Sequence, residues 1–163
     1  MQFVVLDFEA EKDLAGNHFP TEIGLCRPGF RPISSLIRPK PDWKVDERFL
    51  FNEGLWRSAC KVGRPVQLIV ARFPSLIAGC QPVSDATFFD QRLMDRLGLT
   101  HKLIEFFPLV ERLAQQKDIS PSVLNQWINE IDSFRTASHL AGEDAWVRAE
   151  LIHRLTQGDP IDV

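Results

Sequence analysis

The apolar positions of the chain first fall in a strand-like rhythm. Phe3-Val4-Val5-Leu6 is a continuous apolar run with β-branched residues, and Phe8 and Ala10 carry it past Asp7 and Glu9. Such a run predicts a buried strand over residues 3–10. Residues 20–26 alternate enough for a second strand, followed by the turn signal Arg27-Pro28-Gly29. Residues 33–38 read as a third strand, stopped by Pro39 and Pro41. Short turns between the three predict an antiparallel meander at the start of a mixed sheet.

The rhythm then becomes helical. Residues 39–61 are irregular, with one short helix expected around 46–51. Gly63-Arg64-Pro65 opens a helix running to about Arg72, which Pro74 should kink or restart. Residues 81–84 form a short strand. Residues 86–97 read as a helix, with Phe89, Leu93, Met94 and Leu97 at helical spacing. Residues 101–107 fit a fifth strand or the start of a helix. Residues 108–117 are helical. Ser120-Pro121 caps and opens a helix to about Phe134. A last helix spans about 142–155, and residues 157–163 are expected to be a short mobile tail. This order predicts an α/β fold, a mixed central β-sheet flanked by helices, in a single domain over residues 1–163.

Composition narrows the class. No apolar run approaches the roughly 20 residues of a membrane helix, so no membrane partner is expected. No basic segment precedes the first apolar stretch, which argues against a signal peptide. Cys26, Cys60 and Cys80 are odd in number and widely spaced. They read as reduced thiols of a cytoplasmic protein. The net charge of −3 hides an asymmetry: residues 27–72 hold ten Lys/Arg against four Asp/Glu, while the remainder holds nine against eighteen. A basic half beside an acidic half suits a protein that holds a phosphate backbone on one surface and metal ions on another, although solvated surface charge produces the same pattern.

The candidate chemistry starts at the first strand. Side chains at i and i+2 of a strand share a side, so Asp7 and Glu9 stand together. Two anions that close repel unless a cation lies between them. Hard oxygen ligands favour Mg²⁺ or Mn²⁺. A second acidic pair, Asp85 and Asp90, lies where the fourth strand hands over to a helix. A third group, His139 and Asp144, surrounds the start of the last helix. In open α/β sheets, ligands gather where strands end and helices begin. Four carboxylates and a histidine could hold two divalent ions about 3.5–4 Å apart, the arrangement used for in-line attack on a phosphodiester. The histidine could take the proton of the attacking water.

Each residue also has an ordinary reading. Asp85 could be an N-cap and Asp90 a solvated helix residue. Asp144 would complement a helix dipole, and His139 could cap the last helix. His18, His101 and His153 read as surface residues. Trp43, Trp56 and Trp127 read as packing residues, with Trp43 or Phe8 the candidates for stacking on a terminal base.

Taken together, Asp7-x-Glu9, Asp90, and His139 with Asp144 five residues on resemble the DEDDh group of 3′–5′ exonucleases, the superfamily of polymerase proofreading exonucleases and ribonuclease T. Leu6-Asp7-Phe8-Glu9-Ala10 with Phe19-Pro20-Thr21-Glu22-Ile23-Gly24 resembles the first motif and second strand. Leu36-Ile37-Arg38-Pro39 is similar to the end of the third strand. Val83-Ser84-Asp85-Ala86-Thr87-Phe88-Phe89-Asp90 resembles the second motif of a compact bacterial branch. His139-Leu140-Ala141-Gly142-Glu143-Asp144-Ala145 resembles the third motif. The resemblance implies a ribonuclease H-like fold. It implies a metal-dependent 3′–5′ exonuclease that uses two Mg²⁺ or Mn²⁺ ions on single-stranded 3′ ends of RNA or DNA. By this likeness Asp7 would bridge both ions, Glu9 and Asp144 would hold the ion that activates water, Asp90 would complete the set through water, and His139 would be the general base. Many members are dimers, so a homodimer is one expectation.

The sequence departs from the pattern twice. The second motif commonly has Asn four residues before its Asp, where Ala86 stands here, and Asp85 offers an alternative second carboxylate. The family's His-Gly-Ile stretch reads Asn52-Glu53-Gly54-Leu55, so the substrate-clamping loop is expected to differ. Two other functions stay open: a non-catalytic ribonuclease H-like domain that binds nucleic acid or protein, and a phosphodiesterase for short oligonucleotides.

Overall fold

The first strand is the hub of the structure. In the computed structural model, which describes residues 2–134 and 140–157, β1 (Gln2–Lys12) lies in the middle of a five-stranded sheet. It pairs antiparallel with β2 (His18–Cys26) and parallel with β4 (Cys80–Ser84). β3 (Ile33–Leu36) pairs antiparallel with β2 on one edge, and the two-residue β5 (Ile104–Glu105) pairs parallel with β4 on the other. The spatial order is β3-β2-β1-β4-β5. The mixed sheet and its antiparallel opening meander are as the hydrophobic pattern predicts.

Strand alternation sorts the side chains of β1 into two cores. Val4, Leu6 and Phe8 pack with residues of α1 (Glu53–Val62), α2 (Val66–Leu76) and α3 (Thr87–Leu97). Val5 packs on the other face with α4 (Phe106–Gln116), α5 (Pro121–Asp132) and α6 (Ala141–Gln157). Helices cover both faces, so β1 must be apolar on both sides, and its sequence is nearly continuous in apolar residues for that reason. Phe8 and Trp43 are each 5 % exposed. Neither is open to stack on a base, because strand parity sends Phe8 inward with Leu6 and Trp43 packs on Phe19, ring centroids 5.0 Å apart.

The β1–β2 ladder carries one irregularity. Glu9 lies opposite Glu22, but Ala10 lies opposite Pro20, so Thr21 is passed over. The bulge accommodates Pro20, which has no N–H to give to a ladder. The Thr21 carbonyl turns to β3 and accepts from the Ile37 N–H at 2.8 Å.

The elements depart from the pattern-based expectation in four places. Residues 46–51 contain only a 3-10 turn, Glu47–Phe49, and the Asn52–Leu55 stretch opens α1 instead of a loop. The Asn52 side chain caps α1 by accepting from the Leu55 N–H. The buried Glu11 carboxylate also fastens this start, accepting from the Phe51 and Asn52 N–H groups at 2.9 and 2.8 Å. α2 runs through Pro74 to Leu76, because a proline in the last turn removes a single helical bond. β3 ends at Leu36, with Ile37 bridging to Arg64. Both alternatives for residues 101–107 are realised in turn, a two-residue strand followed at once by α4 from Phe106.

Among the described residues, no helix is long and apolar enough to cross a membrane. Cys26, Cys60 and Cys80 are free thiols. Residues 158–163, most of the expected tail, lie outside the described residues.

The seating of α6 depends on one small residue. A Cβ on Gly24 of β2 would stand 2.0 Å from the Ala141 carbonyl oxygen and 2.5 Å from the Gly142 nitrogen. The first turn of α6 therefore rests directly on the β2 backbone. Gly24→Ala should force that turn off the sheet, at a cost of about 1–3 kcal/mol. That corresponds to a fall in Tm of roughly 3–10 °C. Thermal melts of the two proteins measure it, and an unchanged Tm would contradict the packing.

Candidate metal centre

Alternation on β1 aims Asp7 and Glu9 to the side of Val5, the face covered by α6. α6 presents Asp144 in its first turn, where the helix dipole favours an anion. Asp7, Glu9 and Asp144 each bring a carboxylate oxygen to within 4.8 Å of the others. Among the described residues, this is the group with the spacing of metal ligands. Residues 137 positions apart in the chain meet because α6 lies across β1 and β2.

The crowding shows in the proton affinities. Asp7 is raised to about 9, chiefly by burial and then by the charges of Asp90, Asp144, Asp85 and Glu9. Asp90 is raised to about 7, again chiefly by burial, with a further push from Asp85 and an opposing pull from its hydrogen bond to Ser84. Carboxyls this reluctant to ionise are a poor arrangement in water alone and a good one around a divalent cation. The hard, all-oxygen donor set fits Mg²⁺ or Mn²⁺.

The second-motif carboxylates take different partners. Asp90, on α3, is almost fully buried and receives the Ser84 hydroxyl at 2.5 Å. The same hydroxyl accepts from the Ala86 N–H at 3.0 Å, and the Thr87 hydroxyl donates to the Ser84 carbonyl at 2.8 Å. Ser84 therefore aims Asp90 and shapes the turn from β4 into α3. Asp90 is the charge that raises Asp7 most, although it stands outside the three-carboxylate group. Asp85 is engaged elsewhere: it accepts from Arg148 Nε at 2.7 Å. Arg148 also reaches Asp132 through Nη1 and lies over the Phe106 ring, so it ties α6 to α5 and to the β4–α3 turn. His139 lies outside the described residues.

Glu22 has a role that the motifs do not show. It is buried on β2, and its Oε2 accepts from the Ala141 N–H at 3.1 Å. A carboxylate at the N-terminus of α6 satisfies an otherwise open donor and complements the dipole. It fixes the helix that delivers Asp144. The histidines thought to be superficial also have places: His18 packs edge-on against Phe89, and His101 against Phe73.

No family model and no curated protein sequence matches the chain. Solved structures do. A 3′-exonuclease, in a structure of 3′-end-specific recognition of a histone mRNA stem-loop, superposes on 96% of this chain with a TM-score of 0.65 and 12% identity. A full-length 3′-exonuclease superposes with a TM-score of 0.62 and 13% identity. E. coli Exonuclease I, in complex with a dT13 oligonucleotide, does so with a TM-score of 0.60 and 13% identity. The chain spans 64%, 60% and 41% of the lengths of those three chains. The likeness defines the fold as the ribonuclease H-like one, a five-stranded mixed sheet between helices.

The raised carboxyls set a pH dependence in the metal-free protein. Folded Asp7 keeps its proton to about pH 9, whereas a carboxyl in the unfolded chain loses it near its ordinary value of 3.8. Between those limits the native state binds more protons, so stability from this site falls as pH rises. Asp7→Asn removes the charge and nearly keeps the shape. In EDTA at pH 8 its Tm should exceed that of the parent by several degrees, with the gap closing towards pH 4. Mg²⁺ or Mn²⁺ should raise the Tm of the parent and leave that of the variant nearly unchanged. Melts over pH 4–9 measure both, and a parent less stable than Asp7→Asn at pH 4 but not at pH 8 would reverse the sign.

Proposed function

We propose that the protein is a metal-dependent 3′–5′ exonuclease acting on single-stranded ends of RNA or DNA. The observation that carries this reading is the meeting of Asp7, Glu9 and Asp144, with one carboxylate oxygen of each within 4.8 Å of the others, on the central strand and the first turn of α6. The reading is supported by the fold shared with 3′-exonucleases, one in a structure of RNA 3′-end recognition and one bound to a DNA oligonucleotide.

Asp7, Glu9 and Asp144 would hold the divalent ions, with Asp90 completing the acidic set. When bound, such ions lower the pKa of a water and offset charge on the departing 3′ oxygen. The chain's own residues do the rest. Asp90 is kept in orientation by Ser84, and Asp144 is kept in place by the seating of α6 on Gly24 and Glu22. Arg148 draws the charge of Asp85 away into an ion pair, which limits the number of uncompensated anions around Asp7. His139, two residues before the Ala141 N–H that Glu22 holds, would accept the proton of the attacking water. A site of this kind engages a backbone and a 3′ end more than a base sequence, so little base specificity is expected.

A 5′-labelled single-stranded RNA and the matching DNA test the reading. With Mg²⁺ or Mn²⁺ the parent should produce a ladder shortening from the 3′ end, and with EDTA none. Asp7→Ala should be inactive. His139→Ala should retain metal-induced stabilisation and lose about 10²–10⁴-fold in rate. No cleavage of either strand with either metal would sink the proposal and favour a non-catalytic binding domain.

A further inference from the structure

Two large aromatic rings are exposed around the end of the β1–β2 hairpin and α3. Phe51, before α1, is 64% exposed, and Phe88, in the first turn of α3, is 80% exposed. Both are accompanied by cations. Lys12 Nζ lies 5.5 Å from the centre of the Phe51 ring, and the Arg92 guanidinium 5.8 Å from that of Phe88. His18 lies near-parallel to Phe51 at 6.2 Å and edge-on to Phe89 at 5.0 Å, and it shares a cavity lining with Arg92, the cation over Phe88. Between the β1–β2 hairpin and α3 lies a cavity of about 340 Å³ whose lining includes His18, Phe89, Arg92 and Arg96.

This surface is held in shape before anything binds. The Glu11 carboxylate fastens the backbone at Phe51, and the Arg96–Asp13 ion pair, at 2.7 Å, ties α3 to the hairpin. Pre-fixed rings and cations lose little freedom when a ligand arrives. Burial, and then the charges of Lys12 and Arg92, lower the proton affinity of His18 against an opposing pull from Asp13. Asp95 also lines the cavity, and its carboxylate is engaged by Gln91 at 3.1 Å. The surface shares two elements with the acidic residues, with Phe88 and Arg92 on the side of α3 turned away from the buried Asp90. Lys12 follows Glu9 on β1, and Phe88 and Phe89 precede Asp90 on α3.

We propose that this face, made by the end of the β1–β2 hairpin, Phe51 and the outer side of α3, binds single-stranded nucleic acid through bases stacked on Phe51 and Phe88 and phosphates paired with Lys12 and Arg92. The chemistry matches on both counts: flat rings stack on any base, and cations beside them track the backbone. A duplex buries its base faces and offers none to these rings. That this face takes the strand behind the 3′ end rests on the exonuclease reading; the binding itself does not.

Binding is measured without turnover, by fluorescence anisotropy of 5′-fluorescein-labelled dT8 and rU8, in Ca²⁺ and in EDTA. Phe51→Ala and Phe88→Ala should each raise Kd roughly 5- to 150-fold. Phe51→Trp and Phe88→Trp should keep the affinity of the parent, which separates stacking from any folding defect. Arg92→Gln should weaken binding to both sugars alike and reduce the steepness of its salt dependence by about one counterion. Phe30→Ala, an exposed ring at the opposite end of the sheet, should have no effect. Oligonucleotide binding unchanged in the Phe51→Ala/Phe88→Ala double variant, or absent from the parent in both buffers, would overturn the proposal. Ring-dependent binding with no 3′ ladder would keep this surface and remove the exonuclease reading. A 3′ ladder with ring-independent binding would do the reverse.

Discussion

Three carboxylates whose oxygens lie within 4.8 Å of one another repel, and the architecture around them is what keeps them together. Two of them belong to β1, where the i, i+2 spacing fixes their separation and neighbours on both sides fix the strand. The third comes from α6, which would be free to back away if it were not seated on the sheet. Gly24 lets the helix backbone touch the strand, and Glu22 binds its first N–H. Burial of β1 between two cores supplies the stability against which the repulsion is held. A divalent cation in the cluster would turn the same crowding from a cost into a binding energy.

Around the cluster the remaining charges are sorted. Ser84 takes one carboxylate, Asp90, and keeps it turned by a hydrogen bond within the β4–α3 turn. Arg148 takes the other, Asp85, and in the same stroke joins α6 to the end of α5. Lys12 and Arg92, on the same two elements as Glu9 and Asp90, lie over exposed aromatic rings. An acidic interior with a cationic, aromatic border is suited to a ligand that is a polyanion on the outside and meets metal ions at its end.

Much of this was legible in the sequence. β1 was readable because an apolar run and its terminal carboxylates are local features, and the last helix because its spacing and its breakers are. Asp7, Glu9 and Asp144 could be brought together on paper because strand ends and helix starts converge in α/β sheets. α1 was not read: its buried residues are only Leu55, Trp56 and Ala59 in otherwise polar surroundings, with Gly54 in its first turn. Its Asn52 cap was the available signal. Glu22, Glu11 and Arg148 were not read because their roles depend on distant partners: Glu22 and Ala141 are 119 residues apart, Arg148 and Asp85 are 63, and Glu11 and Phe51 are 40. A single sequence shows that such residues are acidic or basic, but not what they face. Phe8 and Trp43 are candidates for stacking in the sequence and are closed in the fold, Phe8 by the parity of β1 and Trp43 by packing on Phe19.

Anomalous diffraction from a crystal soaked in Mn²⁺ shows whether the carboxylate cluster holds metal. Two manganese peaks about 3.5–4 Å apart, ligated by Asp7, Glu9 and Asp144, are expected. A crystal equilibrated in millimolar Mn²⁺ at neutral pH with no peak within coordination distance of these carboxylates would contradict that expectation.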